Sequence, residues 1–111
     1  MANGGHEVEL TRLARKDLDA LQGKNEAAHA EAVVALGALE RDPFAGHPLS
    51  GSLKGCRSLE FSVKGSGQYR AVYVVLDNRR VSIVFIVATH ENVYREASKR
   101  LAAVRRMLRH S

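Results

Sequence analysis

Two short segments hold the side chains best suited to acid–base and phosphate chemistry. Tyr69-Arg70-Ala71-Val72-Tyr73 enters an apolar strand, and His90-Glu91-Asn92-Val93-Tyr94 opens a basic helix. Every tyrosine in the chain lies in one of the two. A guanidinium stays charged, and its planar fork matches a phosphate. Imidazoles as a class hold or release a proton near neutrality. His90 and Tyr94 are four residues apart, so on a helix they project from one face. The combination suggests chemistry or binding on a phosphodiester. Arg70 suits the holding of charge on phosphoryl oxygens, and His90 is the best proton-transfer group. Structural roles compete with these: a salt bridge from Arg70 to a helix carboxylate, and a helix-start packing pair for His90 and Tyr94. Tyr69 and Tyr73 alternate with Arg70 and share a face with Ala71 and Val75, which reads as core.

The elements that must position these groups fit one domain spanning residues 1–111, large enough for a single modest core. An apolar content of 45% supports a folded chain, and no apolar run approaches the length of a membrane span. Met1 to Glu9 shows no secretory pattern, and Met1 to Gly5 reads as a disordered tail. The single cysteine, Cys56, cannot form an internal disulfide, which fits a reducing cytoplasm; it reads as a small strand-edge residue. Charge is unevenly divided. Residues 1–53 carry five Lys/Arg against eight Asp/Glu, whereas residues 54–111 carry twelve against four. The basic excess falls in the half holding both segments and favours a polyanionic partner, nucleic acid above all.

Periodicity orders the elements. His6 to Leu10 alternates as an edge strand. Thr11 caps a first helix whose Leu10, Leu13, Ala14, Leu18 and Leu21 form a buried face, with Gly23 supplying a positive φ at its end. Asn25 caps a second helix with Ala28, Ala32, Leu36 and Leu39 inward, ended by Pro43. Residues 42–55, punctuated by glycine and proline, read as a loop. Cys56–Val63 alternates as a strand with Leu59, Phe61 and Val63 on one side and Ser58, Glu60 and Ser62 on the other. Tyr69–Leu76 and Val81–Ala88 are apolar on both faces and therefore central. Turns at Gly65-Ser66-Gly67 and Asp77-Asn78 make these three strands antiparallel. A last helix near residues 91–109 buries Val93, Ala97, Leu101, Val104 and Leu108, with Arg95, Lys99, Arg100, Arg105, Arg106 and Arg109 on its other surfaces. The expected fold is α+β, order β-α-α-β-β-β-α, with an N-terminal helical hairpin and a C-terminal helix packed on a small antiparallel sheet.

The order Asp42-Pro43-Phe44, Pro48-Leu49-Ser50-Gly51-Ser52-Leu53-Lys54-Gly55, Tyr69-Arg70-Ala71-Val72-Tyr73 and His90-Glu91-Asn92-Val93-Tyr94 resembles the RelE/ParE superfamily of toxin–antitoxin toxins across nearly the whole chain. The resemblance implies a small cytoplasmic toxin silenced by a cognate antitoxin. RelE-like members cut mRNA in the ribosomal A site without a metal or other cofactor, and ParE-like members inhibit DNA gyrase. It further implies an active-site arginine at Arg70 and a tyrosine at Tyr94 that stacks on a base or assists proton transfer. Basic residues facing the mRNA backbone would be Lys54, Arg57 and Lys64, with Arg95 beside Tyr94. Two positions depart from the pattern. Glu60 stands where active nucleases tend to place Arg or Lys, and Glu91 where many relatives have arginine. Each puts an anion near the expected phosphate position; alternatively a glutamate, Glu60 first, serves as general base. The expectation is thus a ribosome-dependent mRNA endonuclease. Its alternatives are a gyrase inhibitor, or a catalytically silent member acting with its antitoxin on operator DNA.

Overall fold

The computed structural model describes residues 6–109, so the expected tail at residues 1–5 and His110 lie outside the described residues. The chain forms β1 (Glu7–Leu10), α1 (Arg12–Lys24), α2 (Glu26–Arg41), β2 (His47–Pro48), β3 (Arg57–Val63), β4 (Gly67–Leu76), β5 (Val81–Thr89) and α3 (His90–Arg109). The strands join in one sheet in the order β1-β5-β4-β3-β2.

Local chemistry sets most boundaries. Thr11 Oγ1 accepts from the Ala14 amide, and Asn25 Oδ1 accepts from the Ala28 amide, so each helix begins at a side-chain cap. Asn25 also ends α1, its amide donating to the Leu21 carbonyl. Gly23 therefore lies inside α1, and no left-handed residue is needed between the two helices. Leu13, expected in the core, is 46% exposed, while Ala14 and Leu18 are buried. The run from Asp42 to Gly55 is less irregular than its glycines and prolines suggest, since β2 pairs with Arg57 and Ser58 of β3. Tyr73 closes this segment from below: its buried hydroxyl accepts from the Gly46 amide and donates to the Pro43 carbonyl. Gly46 is required there, because a Cβ would sit 2.7 Å from the Ser58 carbonyl oxygen.

β3, β4 and β5 are antiparallel, but β1 runs parallel to β5, so the sheet is mixed. The parallel pairing follows from topology: α1 and α2 intervene, and β1 takes up the edge that β5 leaves open. Its two faces carry separate cores. Ala14, Leu18, Ala32 and Leu39 of the hairpin pack on Ala71, Tyr73, Val84 and Val87. Val93, Ala97, Leu101 and Val104 of α3 pack on Val72, Phe85 and Ile86. Burying each large side chain contributes roughly 1.5–3 kcal/mol. The register of β4 on β5 shifts between Val72 and Tyr73, so Phe85 and Ile86 both face α3 and Val84 and Val87 both face the hairpin.

Candidate functional site

β5 runs into α3 without a loop, Thr89 ending one and His90 starting the other. That junction brings the first turn of α3 over the end of β4. Arg70 points to the α3 side of the sheet, next to Glu60 on β3, which is its register partner. Four residues expected from sequence thus converge. Arg70 Nε donates to His90 Nδ1 at 2.8 Å, and Nη1 donates to the Tyr94 hydroxyl at 2.7 Å. Nη1 also pairs with Glu60 Oε2 at 2.5 Å. The guanidinium lies 5.4 Å from the Tyr94 ring centre, and the His90 and Tyr94 rings meet edge to face.

The electrostatics are asymmetric. The Arg70 side chain is 9% exposed and that of Glu60 39%. A buried guanidinium needs an anion and a full set of acceptors; Glu60, His90 and Tyr94 supply them. The competing structural role read for Arg70 is therefore partly met, with a strand carboxylate in place of a helix one. Because His90 Nδ1 accepts a proton bond from Arg70, the neutral ring carries its own proton on Nε2. His90 is exposed, so that proton can reach a ligand. Tyr94 Oη accepts from Arg70 and keeps its own proton to donate.

The remaining expected contacts are dispersed. Arg57 is committed to the neighbouring loop: Nε and Nη2 donate to the Gly46 carbonyl at 3.0 and 2.6 Å, Nη2 also reaches the Phe44 carbonyl, and the group stacks on the Phe44 ring. Lys54, Lys64 and Arg95 are exposed, and none makes an ion pair among the described residues. Glu91 is exposed on the first turn of α3. Among the described residues no three His, Cys, Asp or Glu side chains gather as a metal would require.

Two features were not visible in the sequence pattern. A cavity of about 450 Å³ abuts the quartet through Tyr94 and is lined by Leu49, Ser50, Gly51, Ser52, Leu53 and Ser98. Ser98 Oγ donates to the Tyr94 carbonyl and bonds Ser52 Oγ at 3.0 Å, so the loop before β3 is tied to α3 beside the site. The signal for it, Ser50-Gly51-Ser52, reads equally as an ordinary turn. Arg100, expected on an outer surface of α3, is turned inward. It holds Asp17 of α1 through Nη1 at 2.8 Å and Nη2 at 3.1 Å, and donates to the Phe85 carbonyl. Burial opposes its charge, but the Asp17 hydrogen bonds and charge, with Glu96 adding to them, outweigh that and hold the guanidinium above its ordinary range.

Comparison with known proteins places this geometry. Residues 8–94 match the family model described as the ParE toxin of a type II toxin–antitoxin system, parDE. The fold is similar to a toxin–antitoxin complex, RelBE2 from Mycobacterium tuberculosis, at 31% identity and TM-score 0.61, covering 78% of this chain and 99% of that one. A mutant of the E. coli toxin RelE in the free state is similar at 25% identity and TM-score 0.66, covering 86% and 97%. A YoeB/ParE toxin from Agrobacterium tumefaciens shares the fold at 22% identity and TM-score 0.62, covering 76% and 98%. No curated protein matches the chain in sequence.

Proposed function

The chain belongs to the RelE/ParE superfamily of type II toxin–antitoxin toxins, and from that premise we propose that it is a metal-free, ribosome-dependent mRNA endonuclease neutralised by a cognate antitoxin. The observation that carries this reading is the Glu60–Arg70–His90–Tyr94 quartet, which holds a carboxylate, a fixed cation and two proton-bearing groups on one sheet face. Beyond satisfying the buried guanidinium, the other three groups are of the types that bond cleavage needs beside a phosphate-holding cation.

In the proposed reaction Glu60 accepts the proton of the 2′-hydroxyl as the O2′–P bond forms. Arg70 stabilises the charge gathering on the phosphoryl oxygens. Protonated His90 gives its Nε2 proton to the 5′ oxygen as the P–O5′ bond breaks, leaving a 2′,3′-cyclic phosphate and a 5′-hydroxyl. Solvent returns the proton from Glu60 to His90. Protonating His90 places a proton on Nδ1, which ends the bond from Arg70 Nε and frees that N–H for a phosphoryl oxygen. Acid arming and phosphate binding are thereby linked. The cavity beside Tyr94 suits a neighbouring base stacked on the ring. The exposed cations Lys54, Lys64 and Arg95 would meet the RNA backbone and ribosome, while Arg57 would act through the loop it holds.

A second reading is a ParE-like gyrase inhibitor. The ParE family match over residues 8–94 favours it, as does Glu60, which already fills the Arg70 cation. Inducing the protein in a bacterium and mapping mRNA 5′ ends separates the two. Codon-phased cuts lost in Arg70→Ala and His90→Ala support the nuclease. Intact transcripts with an SOS response and altered plasmid supercoiling refute it in favour of gyrase. Intact transcripts with no effect on growth point instead to a silent member acting with its antitoxin on operator DNA.

A further inference from the structure

We propose that α2 is the docking face for a second copy of this chain, two α2 helices meeting antiparallel about a two-fold axis that passes between Val33 and Val34.

α2 buries Ala28, Ala32, Ala35 and Leu39 against the rest of the fold. At 100° per residue the opposite face is centred on Glu26, Ala30, Val33, Val34, Gly37 and Arg41. The solvent face of a helix is ordinarily polar. Here the charges are confined to the two ends of the line, and its middle is apolar, with Val33 52% and Val34 64% exposed. A helix that is apolar on its outer face as well as its inner one is a helix with a second neighbour.

The order of residues names that neighbour. An isologous contact requires residue i to meet j while j meets i. About the midpoint between Val33 and Val34, Glu26 is matched with Arg41, Ala30 with Gly37, and Val33 with Val34. The line is self-complementary under an antiparallel two-fold. Acid meets base at both ends, small meets small further in, and valine meets valine at the axis. Neither Glu26 nor Arg41 has an ion-pair partner of its own among the described residues. The antiparallel arrangement also sets the positive start of each helix against the negative end of the other.

Gly37 adds independent support. A Cβ built on it meets nothing within 4 Å, so the chain's own packing does not call for glycine there. Glycine is unfavourable inside a helix, yet it would let two backbones approach closely opposite Ala30. The face lies on the hairpin side of the sheet, away from Arg70, and its occupancy is independent of the proposed nuclease activity.

A single helix pair lies at the small end of specific interfaces, so the dimer is weak and exchanges rapidly. Sedimentation equilibrium of the purified full chain from about 5 to about 500 µM spans the affinities such an interface reaches. The expected result is a rise to dimer mass at the upper end. Val34→Glu and Gly37→Gln should each weaken the dimer at least tenfold. Gly37→Gln fits the open space of the monomer and keeps its melting temperature. Glu26→Arg alone and Arg41→Glu alone should be monomeric, while an equimolar mixture of the two variants forms the mixed dimer, because each chain then offers the charges the other lacks. A wild-type chain that stays monomeric throughout overturns the proposal. So does a dimer indifferent to both Val34→Glu and Gly37→Gln, or a mixture that does not associate. A monomer whose antitoxin binding is abolished by Val34→Glu also overturns it, assigning the face to the antitoxin.

Discussion

Removing one half of the Asp17–Arg100 pair should cost the fold more than removing both halves. β1 accompanies β5 only as far as Val84, so from Phe85 onward the outer edge of β5 has no strand beside it. Asp17 Oδ2 accepts from the Val87 amide at 3.0 Å, and Arg100 Nη1 donates to the Phe85 carbonyl at 2.9 Å. The pair thus joins α1 to α3 and caps the open edge. Its side chains are 19% and 13% exposed, so solvent screens them little. Asp17→Ala deletes both bonds from Arg100 and leaves the guanidinium to the Phe85 carbonyl and to Glu96, whose side chain is 45% exposed, and the Val87 amide to nothing described. Breaking a buried pair from one side costs about 3–5 kcal/mol, and the residual Glu96 contact puts this case near ~3 kcal/mol. Against a domain stability of about 5–15 kcal/mol, that is a large share. At about 4–8 °C per kcal/mol for this size, the melting temperature should fall by about 12–24 °C.

The double variant Asp17→Leu/Arg100→Met removes the stranded charge and keeps apolar volume. Its cost should shrink to that of two unfulfilled edge groups, about 2 kcal/mol in all. Urea unfolding followed by circular dichroism of Asp17→Leu, Arg100→Met and the double variant measures each corner of the cycle. A single variant costing less than about 1 kcal/mol, or a coupling energy below about 0.5 kcal/mol, would refute the idea that this pair holds the edge.

Tyr73→Phe should cost about 1–3 kcal/mol, since it strands the Gly46 amide and the Pro43 carbonyl; urea unfolding reads the loss, and faster amide exchange at Gly46 locates it. Burial pushes the Cys56 thiol above its ordinary range, partly opposed by the nearby Arg105 charge. A raised folded value means the contribution to stability is full below the unfolded pKa of about 8.5 and is lost as pH rises through the folded value. Native protein at pH 8 should therefore react with iodoacetamide far more slowly than urea-unfolded protein, and Cys56→Ala should flatten the alkaline loss of stability; equal alkylation rates would show the thiol is not shielded.

The antiparallel core of the sheet and both helix caps were legible because each rests on neighbours in sequence: alternation in Cys56–Val63, glycine turns, and Thr11 and Asn25 three residues before the amides they accept. The convergence of Arg70 with His90 and Tyr94 was legible for the same reason, since one strand and one helix face position all three. What escaped depended on distant partners. Arg100 sits on α3 among other arginines of identical local appearance, and only Asp17, 83 residues away, turns it inward. Gly23 looked like a helix end because glycine often is one, but the Asn25 amide reached Leu21 first and α1 ran on to Lys24. The parallel placement of β1 depends on how the hairpin crosses the sheet, which no four-residue strand encodes. Leu13 follows the apolar period of α1 yet stays half exposed, lining an open apolar cleft with Phe85, Val104 and Met107.

Glu60 shows how one residue can oppose RNA in sequence and yet be needed in the structure. A guanidinium 9% exposed cannot be left without an anion, and β3 supplies that anion from the register position directly beside β4. Such a charge is fixed in advance of any ligand, which is what stabilising a transition state requires. The partner is not fixed equally firmly. With Glu60 39% exposed, its carboxylate can move to water at small cost, whereas Arg70 is held by His90 and Tyr94. In the proposed nuclease an arriving phosphate would displace Glu60 while the Tyr94 bond keeps Arg70 in place, and the displaced carboxylate would stay within reach as a base. The exchange of one anion for another gives back part of the binding energy, so a lone phosphate gains little and the remainder of the affinity must come from contacts elsewhere on the ligand. Under the proposed function, a site built this way would favour a large polyanionic partner over a free phosphate, in keeping with a basic excess spread over residues 54–111 and not concentrated at the quartet.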